Sequence, residues 1–551
     1  MPPPDRAYVQ PVTEWTGKSA RPPLRIGVLL GREDGFTPWE LQLFDRILAD
    51  PRFDLAALLV HPRGYGKAGT TALFNLVAGV DRRLFARIPN YHPTYFADIR
   101  ERAKFIHPVV RRSDGAADIP LDILDHLKLD LVLRTVPCGL SEETVAALPY
   151  GEWALNVADL QSAGGDWSGF AEIAAHAPTL QVILYARRGA GKEVEQIDTA
   201  AFNPKFSAAR NAAFLKEKAL LLTMRELRRL ADTGRLIPNH RNGPPQPMPP
   251  PGNLEVGRYL IGLARSVATR AKKEVSRRAG WDAAVWTLYT GAGSIEDFDP
   301  RLAIELPPAK DAIKADPFLF NHRGSCYVFY ENYSVGDHKA HIAVGRLTES
   351  GIEQLGPAIE STGHLSFPFV FRSGNQIFLM PETHQQKHIE IWRCVKFPLK
   401  WELYATALEG CSAADSTLFR HKGKWWLLTN LSDHHAFEDH CSELYAFEVD
   451  GPKLSRIVPH ACNPVVIGST VARNAGRVFT HEGRLFRPSQ NNAYGIYGYG
   501  LNIMEIQELT RETYREKCIR TIRPDFKPGL VGCHHFDAAD GRYILDARLN
   551  S

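Results

Sequence analysis

Asp316, Glu382 and Asp415 are the side chains of this chain with the clearest capacity for chemistry, because each holds a matching place in a repeated unit. Asp316 opens DPFLFNHRGSCYVFYE, Glu382 ends FPFVFRSGNQIFLMPE, and Asp415 opens DSTLFRHKGKWWLLTN. A fourth unit, AGRVFTHEGRLFRPSQ, follows Arg473, and a worn fifth reads HHFDAADGRYILDA. Cleavage or transfer at a glycosidic bond needs two carboxyl groups flanking the sugar, one protonated and one ionised. On that reading Asp316 is the base, Glu382 or Glu331 is the acid, and Asp415 tunes or positions them. His364, Arg473, Arg487, Gln490, His534 and His535 add donors for sugar hydroxyls or a phosphate. Polar residues also recur at the ends of the second strands: Glu331, Glu382, Asn430 and Gln490. The plainer alternative is that an Asp before Pro or Ser starts a strand or caps a turn, and His534–His535 suits a turn equally well. His434, His435, Asp439 and His440 lack the spacing of ligands on a helix or strand, so they read as a polar loop, and no metal site is expected.

These residues need a scaffold that brings distant repeats together. Each unit has a Phe, then a Gly three to five residues on, then an apolar run. That is a hairpin: strand, turn, strand. Phe320, Phe371, Phe419, Phe479 and Phe536 are spaced 51, 48, 60 and 57 residues apart. A propeller blade of four strands takes about 40–50 residues, and blades must stack around an axis to bury both faces. The pattern predicts an all-β five-bladed propeller over 282–551, with the inner strand ends lining an axial pocket.

The first half follows another pattern. LRIGVLL (24–30), FDLAALLVH (53–61), LDLVLRTV (129–136), WALNVA (153–158) and TLQVILYAR (179–187) read as strands. Between them lie helical stretches at 39–50, 122–129 and 141–149, the last with Ser141 as N-cap. Alternating strands and helices predict an α/β domain with a mainly parallel sheet over 24–235, after a loose tail at 1–23. Residues 236–252 are Pro-rich and read as a semi-rigid linker. A connecting helix is expected over 253–281, with Leu260, Ala264, Val267, Ala271 and Val275 on one face and many Arg and Lys around them. Its segment 258–278 reads either as a peripheral contact for an anionic membrane or polyphosphate, or as a solvated inter-domain helix.

Composition bounds the partners. With 66 basic and 62 acidic residues the net charge is +4, too balanced to argue for nucleic acid binding. No apolar run has the length of a membrane span. The N-terminus lacks the pattern of a secretory signal. Eight scattered cysteines without a C-x-x-C read as reduced thiols. A cytoplasmic protein is expected, with a peripheral position at an inner membrane as a further option.

The runs KADPFLF, HLSFPFVF, LMPE, ADSTLF, GKWWLLTN and GRLFRPSQ resemble the N-terminal propeller domain of plant glucosamine inositolphosphorylceramide transferases, over about 316–546. That domain looks like a relative of glycoside hydrolase family 43, a five-bladed propeller with three acidic residues. The resemblance implies that Asp316 matches the first-blade base, with Asp415 and Glu382 as the other acids. The second repeat opens with Phe367 where a hydrolase-like unit would carry Asp, which favours transfer or sugar binding over hydrolysis. The stretch 129–161 with the loop 163–173 resembles the formyltransferase fold of methionyl-tRNA and sugar-nucleotide N-formyltransferases. Their Asn-x-His pair would fall on Asn156-Val157-Ala158, where the His is absent, with Asp159 and Asp166 as nearby acids.

The sequence therefore points to a carbohydrate-active protein of surface polysaccharide or glycolipid biosynthesis, with glycosyl transfer or cleavage at the propeller axis. Its expected partners are a sugar nucleotide, an oligosaccharide or a glycolipid, and no cofactor is required. One alternative is a sugar-nucleotide N-formyltransferase using formyl-tetrahydrofolate, with the propeller holding substrate. The other is a non-catalytic glycan-binding scaffold.

Overall fold

The computed structural model describes residues 21–31, 36–61, 70–85, 106–111, 116–136, 138–156, 169–189, 194–236, 251–279, 286–306, 312–334, 339–432 and 439–549. The N-terminal tail at 1–20, most of the Pro-rich stretch, Asp159, Asp166, His434 and His435 lie outside the described residues. The chain forms two compact units that change over in sequence at Ser266–Val267.

The first unit is α/β. Its strands are β1 (Leu24–Leu30), β2 (Phe53–Val60), β3 (Ile106–Pro108), β4 (Leu131–Arg134), β5 (Glu152–Leu155), β6 (Leu180–Arg187) and β7 (Val194–Phe202). They form one seven-stranded sheet in the order β3-β2-β1-β4-β5-β6-β7. The pairs from β3 through β5 are parallel, and β6 and β7 join antiparallel. Strands such as β4 are buried along their whole length, which is why they read as unbroken apolar runs. Helix α1 (Pro38–Ala49) begins in a capping box, with the Thr37 N–H donating to Glu40 Oε2 at 2.8 Å. Helices α2 (Ala72–Phe85), α3 (Leu121–Leu127), α4 (Glu142–Ala146) and α5 (Phe170–Ala174) follow. Ser141 caps α4, as its sequence position implies. Strand β7 and the long helix α6 (Ala208–Thr233) lie outside the segments assigned from sequence. Helix α7 (Asn253–Ala279) ends the half.

The second unit is an all-β five-bladed propeller. Blade 1 is built of Ala312–His322, Ser325–Ser334, His341–Thr348 and Gly351–Ile359. Blade 2 runs from Ser366–Ser373 to Lys400–Ala407, blade 3 from Ala413–His421 to Ile457–Pro459, and blade 4 from Phe479–His481 to Tyr514–Ile522. Blade 5 is shared between the two ends of the unit. Phe536–Ala539 and Arg542–Leu549 form its inner part, and Trp286–Ala292 and Ile304–Leu306 complete it outward. That shared sheet closes the ring without leaving an open edge between first and last blades.

The recurring glycines have a local cause. Arg323–Gly324, Lys422–Gly423, Glu482–Gly483 and Asp540–Gly541 each place two successive residues at positive φ. This is the two-residue turn whose twist matches the flanking strands. The phenylalanines fill the interior: Phe318, Phe329, Phe369, Phe371 and Phe378 share one core cluster that runs through blades 1 to 3.

Candidate active site at the propeller axis

The inner strands of blades 1, 2 and 3 open in the same way. Asp316, Phe367 and Asp415 have φ of 50°, 44° and 47°, and each lies in a break of the strand register. An Asp tolerates the left-handed region better than a Phe does. Phe367 is held there by its surroundings: it is fully buried, with its ring 5.0 Å from Phe318 and 5.2 Å from His535.

The turned backbone lets each blade reach a side chain of the blade before it. The Asp316 N–H donates to Asp546 Oδ2 at 3.0 Å, and the Phe367 N–H to Asp316 Oδ2 at 3.2 Å. The Asp415 N–H donates to Glu382 Oε2 at 3.2 Å, and the Asn474 N–H to Asn430 Oδ1 at 2.9 Å. Repeat-leading residues thus face the axis together, and their acids are buried and in electrostatic contact.

Two ion-paired groups result. In the first, Arg473 Nε lies 2.6 Å from Asp415 Oδ2, and its Nη2 lies 3.4 Å from Glu382 Oε2. His384 Nδ1 meets the other Glu382 oxygen at 2.7 Å. Burial works against the Glu382 charge, but the His384 hydrogen bond and the Arg473 charge outweigh it and hold the carboxyl well below its usual range. Burial and the Glu382 charge push Asp415 well above its usual range, against the pull of Arg473. One guanidinium faces both buried acids, so they titrate as a coupled pair, with Asp415 shifted upward and Glu382 downward.

In the second group, His534 Nδ1 lies 2.8 Å from Asp546 Oδ1, and His534 Nε2 lies 3.7 Å from Asp316 Oδ1. Burial opposes both charges of the His534–Asp546 pair. Their mutual attraction nevertheless raises His534 and lowers Asp546. Trp286 stacks on the His534 ring at 4.0 Å. Asp316 is raised well above the carboxylate range by burial and by the charges of Glu331, Asp546 and Asp415. The Asp316, His534 and Asp546 ligand atoms lie within 4.8 Å of one another. Asp546 already accepts the N–H groups of Asp316, His534 and His535, so the cluster is built as a hydrogen-bond network rather than a cation cage.

These shifts run opposite to the roles expected from sequence: Asp316 is pushed toward its protonated form, chiefly by burial, while the His384 hydrogen bond and the Arg473 charge hold Glu382 toward its ionised form.

The remaining sequence candidates divide. Glu331 is buried beside Asp316 and receives His364 Nε2 at 3.2 Å. Gln490 stands next to the axis, its Nε2 donating to the Tyr497 hydroxyl at 3.4 Å. Tyr497 is 40% exposed, and its ring carries the Arg473 guanidinium 5.2 Å from its centre. Arg487 does not line the site. It is fully buried, bonded to Glu516 at 2.6 and 3.0 Å and to the carbonyls of Val471 and Ala472, so it anchors blade 4. Asn430 is likewise spent on the carbonyls of Glu443 and Ala472. His440 bonds Ser412 Oγ at 3.0 Å.

Asn156 lies in the first unit, at the end of β5. Its Nδ2 donates to the Gln181 carbonyl at 3.0 Å and its Oδ1 accepts from the Ile183 N–H at 2.8 Å, so the amide fastens strand β6.

His384, Asp546, Trp286 and Tyr497 were not legible as site residues. Asp546 had a usable signal: it falls at the strand end of the worn fifth repeat. His384 lies two residues past Glu382, and Trp286 precedes the first repeat altogether.

Residues 308–527 match the family model described as glucosamine inositolphosphorylceramide transferase 1, N-terminal. Glucosamine inositolphosphorylceramide transferase 1 of Oryza sativa subsp. japonica is 34% identical over 233 residues, covering 41% of this chain and 31% of that protein. The protein of the same name from Arabidopsis thaliana is 34% identical over 242 residues, covering 42% and 31%. The chain thus spans about a third of the length of the curated relatives it matches. Among solved structures, a native arabinanase of Bacillus subtilis overlays with TM-score 0.31 at 13% identity, covering 43% of this chain and 94% of that one. An exo-β-1,3-galactanase of Clostridium thermocellum gives 0.31 at 8% identity, covering 43% and 59%. The propeller of this chain is similar to the N-terminal domain of the glucosamine inositolphosphorylceramide transferases.

Proposed function

We propose that the propeller axis binds a glycosyl unit and performs glycosyl transfer or glycosidic cleavage in the making of a surface polysaccharide or glycolipid. One observation carries the reading. Asp316 and Glu382 are buried acids that each accept the leading N–H of the next blade, and their pKa values are shifted in opposite directions. Such a pair is what acid and base roles on one glycosidic bond require. In this scheme Asp316 donates a proton to the leaving oxygen. Glu382, kept ionised by His384 and Arg473, accepts a proton from the incoming hydroxyl or stabilises positive charge on the sugar. Asp415 holds Arg473 in place, and the ring of Tyr497 offers the sugar a stacking surface.

The relatives' name supports glucosamine as the first sugar to try and an inositol phosphosphingolipid as the first acceptor. Incubating the full chain with labelled sugar nucleotides and such acceptors, and with oligosaccharides for cleavage, tests the proposal. Asp316→Asn and Glu382→Gln should each abolish turnover in the folded protein. Unchanged turnover in both would remove the axis from the chemistry.

A second reading, a glycan-binding module without catalysis, is favoured by the match being confined to the N-terminal part of the relatives. It expects sugar binding without product. An N-formyltransferase activity in the α/β unit, with formyl-tetrahydrofolate as donor, would need a proton acceptor that Asn156 does not supply.

A further inference from the structure

We infer that helices α2 and α7 present a docking surface for an anionic lipid bilayer. The inference does not depend on the chemistry of the propeller axis.

Both helices place one side in the same core. Phe74 of α2 and Val256 and Tyr259 of α7 are buried together with Phe170. Both also turn apolar side chains to solvent. On α2 these are Leu73, Leu76, Val80 and Leu84, exposed by 40%, 65%, 51% and 66%. Their spacing of three, four and four residues places them on one face. On α7, Leu260 and Ile261 are exposed by 41% and 56%. Ala264 continues that stripe. A solvated helix would carry polar residues there.

Charge identifies the occupant. Arg258 and Arg265 lie seven residues apart and are exposed, so they edge the α7 stripe along one side. Arg82 and Arg83 are exposed near the end of the α2 stripe. The one acid of α2, Asp81, is buried, and Glu255 of α7 sits in its first turn. Apolar residues edged by cations match the boundary between acyl chains and anionic headgroups. A second copy of the chain is a poorer occupant, because pairing of these helices would bring rows of like charge together. No described helix is long and apolar enough to cross a membrane, so α7 would lie along the surface.

Vesicle co-sedimentation of the full chain tests this. Binding to phosphatidylcholine vesicles containing phosphatidylserine should exceed binding to phosphatidylcholine alone by about tenfold or more and should fall with added salt. The double variant Arg258→Glu/Arg265→Glu should lose that excess while keeping the thermal midpoint of the parent. Leu76→Asp/Leu84→Asp, changed at exposed sites, should weaken binding to the same vesicles. Equal binding to the two vesicle types, or undiminished binding by the charge-reversed variant, would overturn the inference. A dimer in sedimentation velocity that Leu260→Asp abolishes, with no vesicle binding, would assign the stripe to a second copy and overturn it too.

Discussion

Arg473 Nε sits 2.6 Å from Asp415 Oδ2, inside a cluster where Glu382 also depends on the same guanidinium. All three side chains are nearly excluded from water, so removing the guanidinium takes away the Asp415 ion-pair partner and leaves Glu382 with His384 alone. Replacing Arg473 by Leu should cost about 3–5 kcal/mol. Chemical denaturation at pH 8 should show the larger loss, and at pH 5 the smaller, since protonation relieves the repulsion. Arg473→Lys should recover part of the stability, because Lys restores the charge but not the two-point geometry. An equal loss at both pH values would mean that packing, not charge, is what Arg473 supplies.

Asp316 favours its neutral form, so Asn is a close mimic of its resting state. Asp316→Asn should therefore fold with a midpoint near that of the parent. Turnover should fall about 10²–10⁴-fold, since an amide cannot deliver the proton. A variant that unfolds would show instead that the carboxyl is needed as an anion for the Phe367 N–H.

His384 keeps Glu382 ionised at low pH. His384→Ala removes that hydrogen bond, so the acid limb of the kcat/KM profile should move upward. A profile taken down to the lowest pH at which the protein stays folded would show the move. A profile that does not shift would assign the limb to another group.

His460 provides a stability test away from the axis. Its ring is buried, and Nδ1 accepts the Cys462 N–H at 3.0 Å, so the folded protein holds it neutral. Burial lowers its pKa from 6.5 to about 4. A depressed histidine binds fewer protons folded than unfolded, so its contribution is complete above pH 6.5 and is lost as pH falls towards 4. The loss amounts to about 3 kcal/mol at the acid end. Urea denaturation at pH 7 and pH 4.5 should show it, and His460→Gln should flatten the difference. The same pH dependence in the variant would point to other groups.

Ring closure depends on the strand Arg542–Leu549, which pairs with Trp286–Ala292 on one side and Phe536–Ala539 on the other. Ending the chain after Gly541 should open blade 5 and expose Phe536 and Leu288. Loss of a cooperative thermal transition, with rapid proteolysis between blades, is the expected result. A truncated chain that melts as sharply as the full one would show that the blades hold the ring without this strand.

The period of the Phe and Gly residues was enough to read the propeller, because each hairpin is local and its turn demands the same residues every time. The axial places of Asp316 and Asp415 followed, since they lead repeats whose inner strands must converge. The strands β1, β2, β4, β5 and β6 were equally legible, because burial on both faces leaves unbroken apolar runs. Protonation was not legible. The Asp316 N–H reaches a carboxylate 230 residues away and the Asp415 N–H one 33 residues away. A carboxyl's charge is set by such neighbours and by its loss of water, and neither is written in local spacing. The same reason separates Arg473, which reaches the axial acids, from Arg487, which is spent on Glu516. The sequence by itself determined which backbone would form; only the tertiary structure decided which acid keeps its proton, because that balance is struck between blades.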